Sequence, residues 1–179
     1  MLSKEVVSGN VVLAVETVGE RDAPAIVLCQ GLGMRVADWP ARLIEGLARD
    51  FFVVLVENRD TGRSGRAAVP YTLFDMAADI ERVAADLGLD RFAVLGFSMG
   101  GMIAQTLALE HPGRVRSVVS VQSHHGGLRS ALARPSVLGS LFRPLPSTVE
   151  EGIEHVVPAG ALGSASFGTP NQRVDFTHN

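Results

Sequence analysis

The sequence predicts an α/β fold in which a mostly parallel sheet carries helices on both faces. Short apolar runs alternate along the chain with longer segments whose apolar residues recur at helical spacing. The short runs are continuously apolar, which is typical of parallel strands that are buried on both sides. Strands that alternate with helices pair in parallel through right-handed crossovers, and these crossovers place helices on both faces of the sheet.

The strands begin with a predicted hairpin. Residues 4–19 read KEVVSGNVVLAVETVG, and the run Ser8-Gly9-Asn10 is typical of a tight turn between two extended segments. The continuous apolar runs that follow are AIVLCQG at 25–31, FFVVLVEN at 51–58, RFAVLGF at 91–97 and VRSVVSVQ at 115–122. The hairpin and these runs are the predicted strands of the sheet.

Segments whose apolar residues recur at helical spacing lie between the strands, at residues 38–50, 72–89 and 99–111. The second of these segments shows the spacing most fully, with apolar residues on one face at Leu73, Met76, Ile80, Val83 and Leu87. Gly88 is a typical helix end. A further helix is predicted at 147–157, where Ser147 and Glu150 have the spacing of a capping box.

Composition favours one globular domain and excludes several classes of partner. The chain has 179 residues, 46% of them hydrophobic, and a net charge of -3. Its basic residues are scattered, so we expect no nucleic-acid partner. No apolar stretch reaches the length of a membrane span, and the first ten residues lack the pattern of a secretion signal. We therefore expect no membrane association and a cytoplasmic location.

The only cysteine is Cys29, so the sequence predicts no internal disulfide and no multi-cysteine metal site. Its place inside AIVLCQ predicts a small buried side chain rather than a reactive thiol. We divide the chain into a core at residues 1–125 and, at 126–179, the start of a lid region followed by an irregular tail.

Polar or glycine-containing segments follow four of the predicted strands. These segments are QGLG at 30–33, ENRDTGRSG at 57–65, GFSMG at 96–100 and SHH at 123–125. The carboxyl ends of parallel strands lie along one edge of a sheet, which is where open α/β sheets bind their ligands. We therefore expect these four segments to share one rim that carries the functional site.

The segment GFSMG is the strongest functional signal, because it turns a strand directly into a helix. In so sharp a turn, side chains at Gly96 and Gly100 would collide with the neighbouring backbone, and Ser98 is pushed toward positive φ. The hydroxyl is thereby exposed above the sheet, where the following helix directs its free N–H groups at any developing negative charge. The alternative is that Ser98 only caps the helix. The strand before it and the helix after it favour a nucleophile.

Several segments in chain order resemble the α/β-hydrolase family. IVLCQGLGMRVADW is similar to the family's His-Gly segment, with Gln30 in place of the histidine. NRDTGRS is similar to its arginine-glycine-serine turn, in the variant of the aclacinomycin methylesterase-like branch. DMAADIERVAADLGLDRFAVLGFSMGGMIAQTLALEHPGRVRSVV matches its core, and the resemblance covers residues 5–123.

The resemblance implies roles for particular residues. Ser98 would be the nucleophile, and the backbone N–H groups of Leu32 and Met99 would form the oxyanion hole. Gln30 and Gly31 would border the pocket. Gly31 and Gly33 would let the loop backbone approach the substrate, although an ordinary strand-to-helix turn would contain the same two glycines. Arg59 and Asp60 could act in catalysis or could tie the end of their strand to neighbouring loops. The structural role is favoured.

The catalytic histidine is harder to place. The family order is Ser, then Asp or Glu, then His, and the last two follow further strands that we do not find in this sequence. His111 and His155 fit structural positions, and Asp175 with His178 lie in the irregular tail. His124 and His125 follow a strand end and are predicted to border the pocket.

These features together predict an amino-terminal portion of a serine hydrolase that lacks its carboxyl-terminal strands. Its substrate would be a small molecule with an ester or related carbonyl bond, cleaved through an acyl-enzyme without a metal or cofactor. The alternative is an inert fragment, or a remnant that binds a small molecule or a partner. An unpaired last strand would also favour self-association.

Overall fold

The computed structural model describes residues 1–125. These residues form a six-stranded sheet in the order β1-β2-β4-β3-β5-β6. The strands are β1 Leu2–Ser8, β2 Val11–Val18, β3 Ala25–Cys29, β4 Phe52–Val56, β5 Phe92–Phe97 and β6 Val115–Val121. β1 and β2 form the predicted antiparallel hairpin, and β2 pairs with β4 in antiparallel orientation. β3, β4, β5 and β6 are parallel, which confirms the mostly parallel sheet.

The helices of the described residues are α1 Ala41–Leu47, α2 Leu73–Asp86 and α3 Met99–Glu110. α1 is shorter than the predicted 38–50 because Pro40 precedes it and Trp39 is extended, with ψ 134°. A short 3₁₀ turn at Val36–Asp38 occupies the beginning of that segment. None of the helices among residues 1–125 is long and apolar enough to cross a membrane.

α2 follows its sequence signals closely. Thr72 caps its first turn, since the Thr72 hydroxyl accepts from the Asp75 N–H at 3.4 Å and the Asp75 carboxylate accepts from the Thr72 N–H at 2.7 Å. Met76, Ile80, Val83 and Leu87 are buried as predicted, and Leu73 is partly buried. Gly88 then adopts φ 68° and ends the helix.

Helices cover both faces of the sheet. Alternate residues of β3 point to opposite sides, so Val27 and Cys29 pack with α2 and α3 while Ile26 and Leu28 pack with α1. Cys29 is a free, fully buried thiol, as predicted. Burial raises the pKa of this thiol to about 12.

β6 differs from the other parallel strands. Among residues 1–125 it pairs with β5 alone, and only Val115 of the strand is buried. Val119 and Val121 are 47% and 39% exposed, whereas the continuous apolar run predicts a strand covered on both sides. Self-association through this edge stays a prediction. The proposed lid region and tail at 126–179, with the predicted helix at 147–157, His155, Asp175 and His178, lie outside the described residues.

Candidate active site

Ser98 lies in the predicted strained turn between β5 and α3. Its backbone has φ 54° and ψ -119°, a region that side chains other than glycine rarely occupy. The Ser98 side chain makes no capping hydrogen bond to α3, so the helix-cap interpretation is wrong. Within the part of the chain that the structure describes, the Ser98 hydroxyl is not tied to another group and remains available for chemistry.

Gly96 and Gly100 are required by close backbone packing around this turn. A Cβ on Gly96 would overlap the carbonyl of Gly100 and lie 2.6 Å from the Cα of Gly101. A Cβ on Gly100 would overlap the carbonyl of Cys29 and lie 2.7 Å from the carbonyl oxygen of Gln30. The prediction that side chains would collide here is therefore confirmed. Because Gly96 and Gly100 carry no side chains, the turn can pack directly against the end of β3.

The loop after β3 approaches Ser98 through Gly31. A Cβ built on Gly31 would be 3.4 Å from the Cβ of Ser98 and 2.9 Å from the Sδ of Met34. Gly33 in the same loop adopts φ 71°, and Leu32 between them is 82% exposed. Backbone of this loop therefore lies beside the serine, as an oxyanion-binding loop requires.

Leu32 and Met99 line the same cleft, which has a volume of about 340 Å³. Met99 is the first residue of α3, so its N–H has no carbonyl in a preceding helical turn to bind. The positive end of the α3 dipole lies at this same point. Leu32 therefore lies in the loop that approaches Ser98, Met99 follows Ser98 directly in the chain, and both border one cleft.

Most of the residues that line this cleft are polar. These polar residues lie in the segment after β4 and in the segment that enters α2. The polar lining residues are Asn58, Arg59, Asp60, Thr61, Tyr71 and Thr72. The apolar lining includes Leu73, Met76 and Met99. The cleft therefore combines apolar lining residues with a set of hydrogen-bonding residues, which we call its polar wall.

Arg59 of this wall is fixed by a buried ion pair. Its Nε and Nη2 donate to the two carboxylate oxygens of Asp79, each at 2.7 Å, and both side chains are at least nine-tenths buried. The Asp79 hydrogen bond raises the pKa of Arg59. The guanidinium also lies 5.0 Å from the centre of the Tyr71 ring. This arrangement supports the structural role predicted for Arg59.

Asp60 holds the next part of the loop in place. It adopts φ 63°, and its Oδ1 accepts from the Ala67 N–H at 2.8 Å. This backbone hydrogen bond, followed by one from the Tyr71 hydroxyl, lowers the pKa of Asp60. Burial and the hydrogen bond to Asp60 raise the pKa of Tyr71. Asp60 is ionised at neutral pH and borders the cleft.

Gln30 lies beneath the cleft rather than on its surface. The residue is fully buried, and its carbonyl oxygen accepts from Asn58 Nδ2 at 3.3 Å. Both atoms of its side-chain amide lack a hydrogen-bond partner among residues 1–125. Gln30 is therefore buried at the start of the loop, and Gly31 is the residue of the two that approaches Ser98.

The histidines of the described region lie along or beyond α3. His111 follows the end of α3, about 18 Å along the helix from Ser98, so it cannot serve that residue. His124 and His125 border a cavity of about 150 Å³ with Gln105 and Leu109 of α3. The Gln105 side chain donates to the His124 carbonyl at 3.3 Å. Leu73 lines both this cavity and the cleft.

A larger cavity, of about 490 Å³, lies on the α1 side of the sheet and was not predicted. Its lining includes Trp39, Leu55 and a cluster in which Arg63 pairs with Glu16 and with Glu57. Glu57 is 4% exposed and also accepts from the Arg63 N–H at 2.6 Å. Among residues 1–125 no group of three or more His, Cys, Asp or Glu side chains is placed to hold a metal ion.

Sequence reasoning missed Tyr71. It belongs to no recognised motif and precedes α2 by two residues, so only its contact with Arg59 and Asp60 places it in the cleft. Asn58 and Asp60 were visible at a strand end. Their contribution to the wall of the cleft depends on the path of the following loop, which the motif does not specify.

Comparison with protein families places most of the chain in one of them. A family model described as "alpha/beta hydrolase fold" matches residues 24–162. A protein named "Putative carbamate hydrolase RutD" from Rhizobium rhizogenes is 39% identical over 104 residues. That match covers 57% of this chain and 39% of the relative. A protein of the same name from Escherichia coli O1:K1 is 35% identical over 101 residues, which cover 56% of this chain and 38% of the relative.

Solved structures show the same fold. A hydrolase from Pseudomonas aeruginosa superposes with a TM-score of 0.71 at 23% identity, covering 92% of this chain and 62% of that one. The 2-hydroxy-6-oxo-6-phenylhexa-2,4-dienoate hydrolase from Rhodococcus sp. strain RHA1 superposes with a TM-score of 0.69 at 27% identity, covering 78% and 51%. The chain thus spans less than two thirds of the length of these structures and about two fifths of the length of the named carbamate hydrolases.

Proposed function

The chain belongs to the α/β-hydrolase fold family, and from that premise we propose that it cleaves an ester or related carbonyl bond of a small molecule with Ser98 as nucleophile. The observation that carries this proposal is the backbone of Ser98. Ser98 is strained, it lies between Gly96 and Gly100 at the start of α3, and its side chain does not cap that helix, so helix capping does not offset the strain.

The proposed reaction has two steps. The Ser98 oxygen attacks the carbonyl carbon while its proton passes to a base, and the carbonyl electrons move onto the oxygen. The N–H groups of Leu32 and Met99 would bind that oxyanion, and each donor of this kind is worth about 3 kcal/mol. Collapse expels the leaving group and forms an acyl-enzyme, which water then hydrolyses. No base is assigned among residues 1–125.

A carbamate is the second substrate class to test. The proteins named for carbamate hydrolysis are the relatives at 39% and 35% identity, and their matched segments span little more than half of this chain. A carbamate has the same carbonyl geometry as an ester, so the same nucleophile and oxyanion donors would serve both. The rival proposal is a chain without turnover that binds a small molecule or a partner.

Labelling with a fluorophosphonate tests the nucleophile directly. We expect the 179-residue chain to be modified at Ser98, because the oxyanion donors assist attack even without an efficient base. Mass spectrometry of digested protein locates the adduct. Ser98→Ala should abolish it, whereas Ser117→Ala, which alters an exposed serine of β6, should not. An adduct at another residue, or one that survives Ser98→Ala, would refute the assignment.

Turnover of nitrophenyl esters and carbamates gives the second measurement. Loss of a catalytic histidine costs about 10⁶-fold in related triads and leaves about 10³-fold over water. We therefore expect rates barely above background from this chain. Robust turnover that is lost in Ser98→Ala and also in His124→Ala or His125→Ala would instead identify one of those histidines as the base.

A further inference from the structure

We infer that Asp60 and Tyr71 select substrates whose chain ends in a hydrogen-bond donor such as a hydroxyl group, and that they exclude substrates ending in a carboxylate. This inference rests on the proposed function, since it assigns the cleft beside Ser98 to the substrate. It identifies two specificity-determining residues that come from outside the nucleophile turn and the oxyanion loop.

The position of the cleft relates it to the reacting bond. The same cleft is lined by Leu32 and Met99, the proposed oxyanion donors, and by Asp60 and Tyr71. A carbonyl group attacked by Ser98 would therefore have the cleft available for one of its substituents. The volume of about 340 Å³ limits that substituent to a short chain.

The charge of the cleft wall determines the sign of the selectivity. Arg59 and Asp60 are the charged residues that line the cleft. Arg59 donates two of its N–H groups to the carboxylate of Asp79, so its positive charge is balanced by the negative charge of Asp79. Asp60 makes no ion pair within 4 Å among the described residues, and the charges of Arg66 and Arg59 act on it only as smaller contributions to its lowered pKa. A second carboxylate in the cleft would face this negative charge at short range, which disfavours its binding.

The hydrogen-bonding capacity of Asp60 determines which group fits. An ionised carboxylate offers about four acceptor sites. Ala67 occupies one on Oδ1, and the Tyr71 hydroxyl lies near enough to the carboxylate to contribute to its lowered pKa. The remaining acceptor sites of the carboxylate can bind a hydrogen-bond donor of the substrate. The neighbouring Tyr71 hydroxyl can accept a hydrogen bond from the same substrate group. A neutral hydroxyl group satisfies both partners.

The backbone holds this wall in a fixed orientation. Asp60 adopts φ 63°, which costs free energy for a residue other than glycine. The ring of Tyr71 is fixed by Arg59, whose own position is set by Asp79. The apolar lining residues of the cleft include Leu73, Met76 and Met99. The substrate class that fits is therefore an ester or related compound with a short apolar chain that ends in a hydroxyl.

Three nitrophenyl alkylphosphonates that differ only at the chain end test this inference. Their chains end in methyl, hydroxyl or carboxylate, and mass spectrometry measures the rate at which each modifies Ser98. We expect the hydroxyl probe to react about tenfold faster than the methyl probe, because one net hydrogen bond to a charged group is gained. The carboxylate probe should react about tenfold more slowly than the methyl probe.

Two conservative variants separate the contributions of the wall residues. Asp60→Asn keeps a side chain that tolerates positive φ, and it should raise the rate of the carboxylate probe about tenfold. Tyr71→Phe keeps the ring beside Arg59 and should lower the preference for the hydroxyl probe about threefold. The matched control Asp22→Asn, an exposed carboxylate in the turn before β3, should change neither ratio.

The outcomes distinguish the inference from the proposed function. If no probe modifies Ser98, the nucleophile assignment fails. If Ser98 reacts but the three probes react equally, or if both variants keep the wild-type ratios, the inference alone is overturned. Tyr71 is the single tyrosine of the chain, so the ultraviolet absorbance of its phenol provides an independent readout. The hydroxyl probe should perturb that absorbance and the methyl probe should not.

Discussion

The turn after β5 and the loop after β4 lie at the same edge of the sheet but are held in different ways. Around Ser98 the chain is shaped by missing side chains, because backbone atoms occupy the space where Gly96 and Gly100 would carry a Cβ. After β4 the chain is shaped by charged side chains, through Arg59 with Asp79 and through Asp60. The turn should therefore be sensitive to added atoms, and the loop to removed charges.

Gly100→Ala should have the largest effect. The new Cβ would overlap the backbone of Cys29, which cannot move without distorting β3, so we expect a loss of about 4 kcal/mol in the free energy of unfolding. Urea denaturation measures this loss. Gly46→Ala in α1 is the matched control, since nothing lies within 4 Å of its Cβ, and it should stabilise by about 0.5 kcal/mol. If both changes altered the free energy of unfolding equally, close backbone packing at Gly100 would not be what makes the turn sensitive to added atoms.

Asp79→Asn should have the next largest effect, in the charged loop. It leaves the guanidinium of Arg59 buried without a counter-charge, which costs about 3 kcal/mol. The same denaturation experiment applies. Asp86→Asn is the control, because Asp86 pairs with Lys4 on a more exposed surface and should lose less than about 1 kcal/mol. A loss for Asp79→Asn as small as that of the control would contradict the buried pair.

Ser98→Gly should stabilise the protein while it removes the nucleophile. Glycine adopts φ 54° without steric cost, so we expect a gain of about 1 kcal/mol in the free energy of unfolding. The exposed serine at position 117 in β6 provides the control, since Ser117→Gly should destabilise the strand slightly. A decrease in stability for Ser98→Gly would show that the turn is not strained.

The smallest effect concerns pH and again separates the two regions. The folded state lowers the pKa of Asp60 below its ordinary value of 3.8, so ionised Asp60 stabilises the loop at pH values above about 4. That contribution is lost as the pH falls through the lower, folded pKa. The stability difference between wild type and Asp60→Asn should therefore be constant near neutrality and shrink in acid. A difference that grew toward low pH would reverse the assigned sign.

Local patterns predicted the parallel strands and the sharp turn at Ser98 well. Gly96 and Gly100 were identified because a strand that turns directly into a helix leaves no room for side chains, a constraint contained within five residues. The face of α2 was predicted because Met76, Ile80 and Val83 repeat at helical spacing and all become buried. In both cases the information is local in the sequence.

Features that depend on distant residues were predicted less well. Tyr71 enters the cleft because Arg59 and Asp60, which lie 12 and 11 residues earlier, bind it. The exposure of β6 differs from its apolar sequence because strand neighbours, rather than the strand itself, determine burial. The shortened α1 was within reach of sequence reasoning, since Pro40 restricts the residue before it.

Cys29 can serve as a chemical probe of motion at the centre of the sheet. Its thiol is fully buried, and its backbone lies beside Gly96 in the sheet and against Gly100 at the start of α3. A thiol with a pKa of about 12 is essentially unreactive in the closed state, because alkylating reagents attack the thiolate. Modification of the single cysteine therefore requires transient opening of the strands that carry Ser98. The alkylation rate of the native protein therefore measures how often the strands beneath Ser98 open.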